Sequence, residues 1–90
     1  MTNQEIIALI DRSIAEEFEL DPGGMTPEKT LFGDLGLDSL DIVDLVVVLE
    51  AAFKFKIREE ESIRSIRTLG DIHAFVIRKK AELAGRAQQL

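Results

Sequence analysis

Gly33-Asp34-Leu35-Gly36-Leu37-Asp38-Ser39-Leu40-Asp41 is the stretch at which this 90-residue chain changes character. Upstream lies a segment punctuated by glycine and proline. Downstream runs Ile42-Val43-Asp44-Leu45-Val46-Val47-Val48-Leu49-Glu50-Ala51-Ala52-Phe53, rich in apolar residues and free of breakers. A helix over Ser39 to Phe53 follows from that composition. Asp38 is a good N-cap, and Asp41 falls in the first turn, where the helix dipole favours negative charge. Ile42, Leu45, Val46, Leu49 and Phe53 share one face and suit a core. Leu40, Val43 and Val47 share a second face, flanked by Asp44 and Glu50. Either this helix is central and covered all round, or its second face is an apolar patch for a partner. Ninety residues offer little with which to bury both sides, which favours the patch.

Working outward, Thr2-x-x-Glu5 has the form of a capping box and starts a first helix. Ile6, Ile10, Ile14 and Phe18 recur at helical spacing, with Asp11, Arg12, Glu16 and Glu17 on the wet side. Residues 19–38 read as a long connection: Asp21-Pro22-Gly23-Gly24 is turn chemistry, and Pro27 disfavours a helical Thr26. Its spaced Leu31, Phe32, Leu35 and Leu37 lay it against the core, and loops this long are often functional. After the second helix, Lys54-Phe55-Lys56-Ile57-Arg58 alternates like a strand without a partner and reads as an extended link. Residues 59–66 suggest a short third helix with Ile63 and Ile66 inward. Thr68, with Asp71 at the capping-box position, starts a last helix on the stripe Leu69, Ile72, Phe75 or Val76, and Leu83. Gly85 is expected to stop it, with Arg78, Lys79 and Lys80 favourably placed in the last turns.

The expected fold is therefore all-α: a four-helix bundle with a long loop between helices 1 and 2 and a short third helix. It forms one domain over residues 1–85, with a frayed tail at 86–90. The net charge of -6 argues against a nucleic-acid partner. Its distribution is uneven: residues 1–50 hold 12 acids and 2 bases, residues 51–90 hold 5 acids and 9 bases. The first half suits a basic partner. No cysteine is present, which agrees with a reducing compartment and rules out a disulfide. No apolar run reaches the roughly 20 residues of a membrane span, so membrane insertion is not expected and a cytoplasmic location is.

Ser39 admits three readings. It caps the helix; it is a nucleophile; or it is a site of covalent attachment. Catalysis needs an adjacent base and an oxyanion hole. The one histidine, His73, lies on the last helix, and Gly36-Leu37-Asp38-Ser39 lacks the spacing of a nucleophile elbow. No catalytic residue is assigned. A phosphate attached at the first turn of a helix meets free N–H groups and the positive dipole end. Asp38 and Asp41 oppose such a phosphate, so their use is in holding a basic enzyme or a Mg²⁺ ion during transfer. Asp34, Asp38, Asp41 and Asp44 lack the order of an EF-hand loop, and His73 has no second ligand at metal spacing; no metal site is expected. His73 reads as a partly buried residue at the edge of the stripe.

Asp34-Leu35-Gly36-Leu37-Asp38-Ser39-Leu40-Asp41 resembles the phosphopantetheine attachment site of acyl carrier proteins. The resemblance extends over about residues 3–83, through the order of elements and the Leu49-Glu50-x-x-Phe53 end of the second helix. It implies a carrier with no enzymatic activity of its own. A phosphopantetheinyl transferase would move 4′-phosphopantetheine from coenzyme A onto Ser39, and the arm would carry acyl groups as thioesters for fatty-acid or specialised, polyketide-like synthesis. It also implies a recognition helix for enzymes with basic docking patches: Asp38, Asp41, Asp44 and Glu50, with Leu40, Val43 and Val47 as the apolar part. Phe32, Leu35, Leu45, Val46, Leu49, Ile57, Ile66, Ile72 and Phe75 are candidates to line a space for the acyl chain, ordinary core being the alternative for each. A monomer is expected. A rival from another class is an acyl-carrier-like adaptor that stabilises a larger complex through the second helix.

Two departures bear on pathway. The Asp before Ser39 separates the chain from peptide-synthesis relatives, which usually carry Gly-Gly-x-Ser. Lys54, Lys56, Arg58, Arg64 and Arg67, and Ala51 where glutamate is frequent, differ from the acidic character of housekeeping fatty-acid carriers. A carrier dedicated to a specialised product and a merely solvated basic face both accommodate them.

Overall fold

A computed structural model describes residues 2–57 and 65–88. Three α-helices carry it: α1 (Asn3–Phe18), α2 (Ser39–Phe53) and α3 (Leu69–Gln88), with a 3₁₀ turn at Pro22–Gly24. The architecture is all-α, as expected. The short helix expected over 59–66 lies mostly outside the described residues, as does Arg58 in the link; Ile66 is half-buried against the core.

Each helix starts where its capping chemistry places it. Thr2 Oγ1 accepts from the Glu5 N–H, and Glu5 Oε1 accepts from the Thr2 N–H at 2.9 Å, a reciprocal capping box. At α3, Thr68 Oγ1 accepts from the Asp71 N–H, while Asp71 Oδ2 accepts from the N–H groups of Arg67 and Thr68. Those donors, Arg67 first, hold the Asp71 carboxyl below its ordinary value. Helix α1 ends at Glu19, which turns into the left-handed region at φ 53° and bonds back to Ala15. Asp21 then closes the next turn by accepting from the Gly23 N–H. Gly85 does not stop the last helix. A glycine costs an interior helical position only about 1 kcal/mol, and α3 continues through it to Gln88.

The apolar stripe Ile6, Ile10 and Ile14 of α1 is buried, Ile10 and Ile14 completely. Helix α1 packs on both α2 and α3, whereas α2 and α3 hardly approach one another. Leu45, Leu49 and Phe53 come in from α2, and Leu69, Ile72, Phe75 and Val76 from α3. The alternation of the link after α2 is realised: Phe55 and Ile57 are buried, Lys54 and Lys56 exposed. Phe55 stacks on Phe53 with ring centroids 5.9 Å apart.

Two further features depart from the sequence reading. The long loop is stitched to the start of α3 by backbone bonds. The Leu31 N–H donates to Arg67 O, the Leu69 N–H to Lys29 O and the Gly70 N–H to Pro27 O, giving an antiparallel bridge at Thr30 and Thr68. A pairing one residue long leaves no alternation for the sequence to display. Gly70 also lets the loop approach closely, since a Cβ there would lie 3.1 Å from Pro27 O. His73, expected at the edge, is buried at 6% exposure. Its Nε2 lies 2.7 Å from Asp11 Oδ1 on α1, so a polar contact clasps the two helices beside their apolar seam. The partner is 62 residues away, beyond any local pattern.

Two outcomes follow for stability. The Asp71 carboxyl has a lower pKa folded than unfolded, so its contribution is complete above the unfolded value and is lost as pH falls through the folded one. Urea titrations of wild type and Asp71→Asn at falling pH should therefore converge in acid and diverge toward neutrality. Asp11→Ala should cost about 1–2 kcal/mol by leaving a buried imidazole unpaired. Adding His73→Leu should recover part of that loss, and a strictly additive double-mutant cycle would show that the clasp contributes nothing.

Candidate functional site

Ser39 is the first residue of α2, and it is exposed. The segment before it is held on both sides. Leu31 and Leu37 are buried, and the Leu37 N–H donates to Leu31 O at 2.9 Å. Between them Asp34 makes its own turn: its Oδ2 accepts from the Thr30 N–H at 2.8 Å and from the Thr30 hydroxyl, which draws its pKa down. Gly36 then takes φ +72°, a left-handed conformation that costs an L-residue strain, and redirects the chain into the cap.

Capping is done by Asp38. Its Oδ1 accepts from the Asp41 N–H at 2.9 Å, and Asp41 Oδ2 accepts from the Asp38 N–H at 3.0 Å. Asp41 thus does more than sit favourably in the dipole; it completes a reciprocal box. The Ser39 hydroxyl forms no hydrogen bond among the described residues and is not needed as a cap. Nor does it have a base, for His73 is committed to Asp11. What remains is an unencumbered hydroxyl at a helix end fixed by the Asp38–Asp41 cap.

Beside Ser39 opens a cavity of about 270 Å³. It occupies the gap that α1 leaves between α2 and α3. Ile42, Leu45, Val46 and Leu49 of α2 form one wall and Ile72 and Phe75 of α3 another, with Leu31, Phe32, Ile57 and Ile66 completing it. Eight of the nine residues expected from the sequence to line such a space do so. Leu35 does not; it is half-buried against the core from the loop. Leu31, Ile42 and Ser39 itself line it without having been anticipated as lining. Ile42 shared the inward face of α2, which was the signal available for it. Leu31 lies one residue before Phe32, and only the bond to Arg67 decides which of the two turns fully inward.

The second face of α2 is bare. Leu40, Val43 and Val47 are 78%, 62% and 58% exposed, the surface alternative rather than the covered one. Asp44 is exposed beside them. Glu50 behaves differently: it is half-buried, and its Oε2 accepts from the Ile57 N–H at 2.8 Å, tying the link to the helix end. No helix among the described residues is long and apolar enough to cross a membrane.

The phosphopantetheine attachment site family matches residues 8–76 of this chain. The chain is similar to acyl carrier protein 2 of Ralstonia nicotianae, 43% identical over 72 residues that cover 80% of this chain and 88% of that protein. It is 37% identical over all 90 residues to the meromycolate extension acyl carrier protein of Mycobacterium tuberculosis, covering 77% of the latter. To the acyl carrier protein of Syntrophobacter fumaroxidans it is 44% identical over 68 residues, 76% of this chain and 83% of the other.

The approach to Ser39 depends on Gly36 for its backbone alone, because a Cβ there would meet nothing within 4 Å. Gly36→Ala should lower stability in urea by about 1 kcal/mol, and Gly36→Asn by less, since asparagine tolerates the left-handed region. A larger loss in Gly36→Asn than in Gly36→Ala would mean that side-chain bulk, not backbone strain, matters at this position.

Proposed function

The chain belongs to the acyl carrier proteins, which carry acyl groups on phosphopantetheine and are not enzymes, and from that premise we propose that Ser39 bears the arm. The observation that carries this assignment is the free, exposed hydroxyl at the start of α2, beside an apolar cavity and continuous with a bare apolar strip. A phosphate ester on Ser39 Oγ lies at the positive end of the α2 dipole. Asp38 and Asp41 keep the helix end formed by engaging each other's N–H groups.

The family implies service to a phosphopantetheinyl transferase and to the enzymes of acyl synthesis. In our reading Leu40, Val43 and Val47 meet those enzymes, with Asp38, Asp41 and Asp44 facing basic docking patches. Glu50 contributes less than its position suggested, because its carboxylate is occupied with the Ile57 N–H. The cavity receives the proximal part of the acyl chain: apart from Ser39 its lining side chains are all hydrocarbon, so an alkyl chain inside it loses water without losing hydrogen bonds. Phe32, Leu45, Val46, Leu49, Ile57, Ile66, Ile72 and Phe75 take the lining role, and Leu35 supports the loop from behind. The protein acts as a monomer, since three exposed aliphatic side chains fall far short of the roughly 800 Å² per partner of a stable interface. The absence of cysteine suits a reducing cytoplasm.

Incubation with coenzyme A and a broad-specificity phosphopantetheinyl transferase, followed by intact-mass measurement, tests the assignment. Wild type should gain one phosphopantetheine and Ser39→Ala none, with an unchanged helical circular dichroism spectrum because the Ser39 hydroxyl supports no fold contact. A wild type that stays unmodified, or an alanine variant that is still modified, overturns it.

A further inference from the structure

The bare strip on α2 does not end with the helix. Val47 lines a shallow groove of about 410 Å³ together with Glu50, Ala51, the buried Phe55, and Lys54 and Lys56. Lys54 follows Val47 by two helical turns, so it lies on the same side as Leu40, Val43 and Val47. It ends α2 in the left-handed region at φ 56°, and the Phe53–Phe55 stack holds the link beyond it against the core. Both lysines are exposed, and neither makes an ion pair among the described residues. Glu50, which also lines this groove, accepts from the Ile57 N–H.

The charge along one continuous apolar strip therefore changes sign. Asp38, Asp41 and Asp44 mark the Ser39 end; Lys54 and Lys56 mark the other. Thirteen residues of helix separate Asp41 from Lys54, about 20 Å at 1.5 Å per residue. Charges that far apart on a surface act separately, because the screening length in physiological salt is only about 8 Å. A partner cannot satisfy both ends with a patch of one sign: bases facing the acids would continue into bases facing the lysines.

We propose that the strip is a two-signed docking surface, and that its partner is an acyl-transferring enzyme presenting basic residues beside its entrance and acidic residues about 20 Å further along. This rests on the carrier and docking reading above and adds to it the chemistry of the partner's second patch. Opposed charges at the far end favour one class of enzyme and repel those with bases along the whole strip, so the lysines act as a filter between partners.

The test uses the phosphopantetheine-loaded full chain and two forms of one ketoacyl synthase. One form has a uniformly basic docking strip; the other has its far-end bases replaced by glutamate. At low salt the wild-type carrier should react with the glutamate form about fivefold faster in kcat/KM, and K54E/K56E should reverse the preference. Raised salt should erase both differences. Equal rates of the two synthases with wild type, or a preference unchanged in K54E/K56E, overturn the two-signed surface. Asp44→Lys separates the readings, since Asp44 is exposed and outside the capping box. It should slow both synthases; if it slows neither, the docking role of α2 fails as well.

Discussion

The stripe Ile6, Ile10 and Ile14 on α1 is the surface on which both other long helices rest. Because α1 lies against α2 and against α3, it sets the distance between them, and that distance leaves a cavity instead of a closed seam. A protein of this size has few apolar residues to spare. Here α2 uses its inward face twice, against α1 and as one wall of the cavity. Filling the gap with larger side chains would add stability and remove the space. The cavity thus depends on how the three helices sit together, and the His73–Asp11 contact joins α1 to α3.

The same economy explains the loop. Residues 19–38 form no long element, yet Met25, Leu31 and Leu37 are buried. The loop's backbone groups are satisfied locally by Asp21, Thr30 and Asp34, and over distance by Arg67 and Leu69. The outcome is an approach to Ser39 held by burial and hydrogen bonds, although little of it is helix. Capping falls to Asp38 and Asp41, and the Ser39 hydroxyl takes no part in it.

Charge and apolarity on α2 divide the work. In the proposed docking role, the bare aliphatic side chains would supply the area that a partner buries and the acids the steering field. Glu50 also has a structural use, because its carboxylate accepts from the Ile57 N–H of the link after α2. Its part could not be separated from that of Asp44 by spacing alone.

The sequence by itself determined the helices, their starts, and the candidate serine. Those features are written in local chemistry: Thr2 with Glu5, Asp38 with Asp41, Thr68 with Asp71, and apolar residues at helical intervals. It also placed most of the cavity lining, because residues on the inward faces of α2 and α3 have nowhere else to point. Only the tertiary structure decided that α2 and α3 stand apart, that Leu31 and not Leu35 faces the cavity, that Thr30 pairs with Thr68, and that His73 is buried against Asp11. Each of these depends on groups many residues apart being brought within bonding distance. A one-residue bridge and a polar contact between distant helices leave no periodicity behind them, so no reading of the linear chain could have found them.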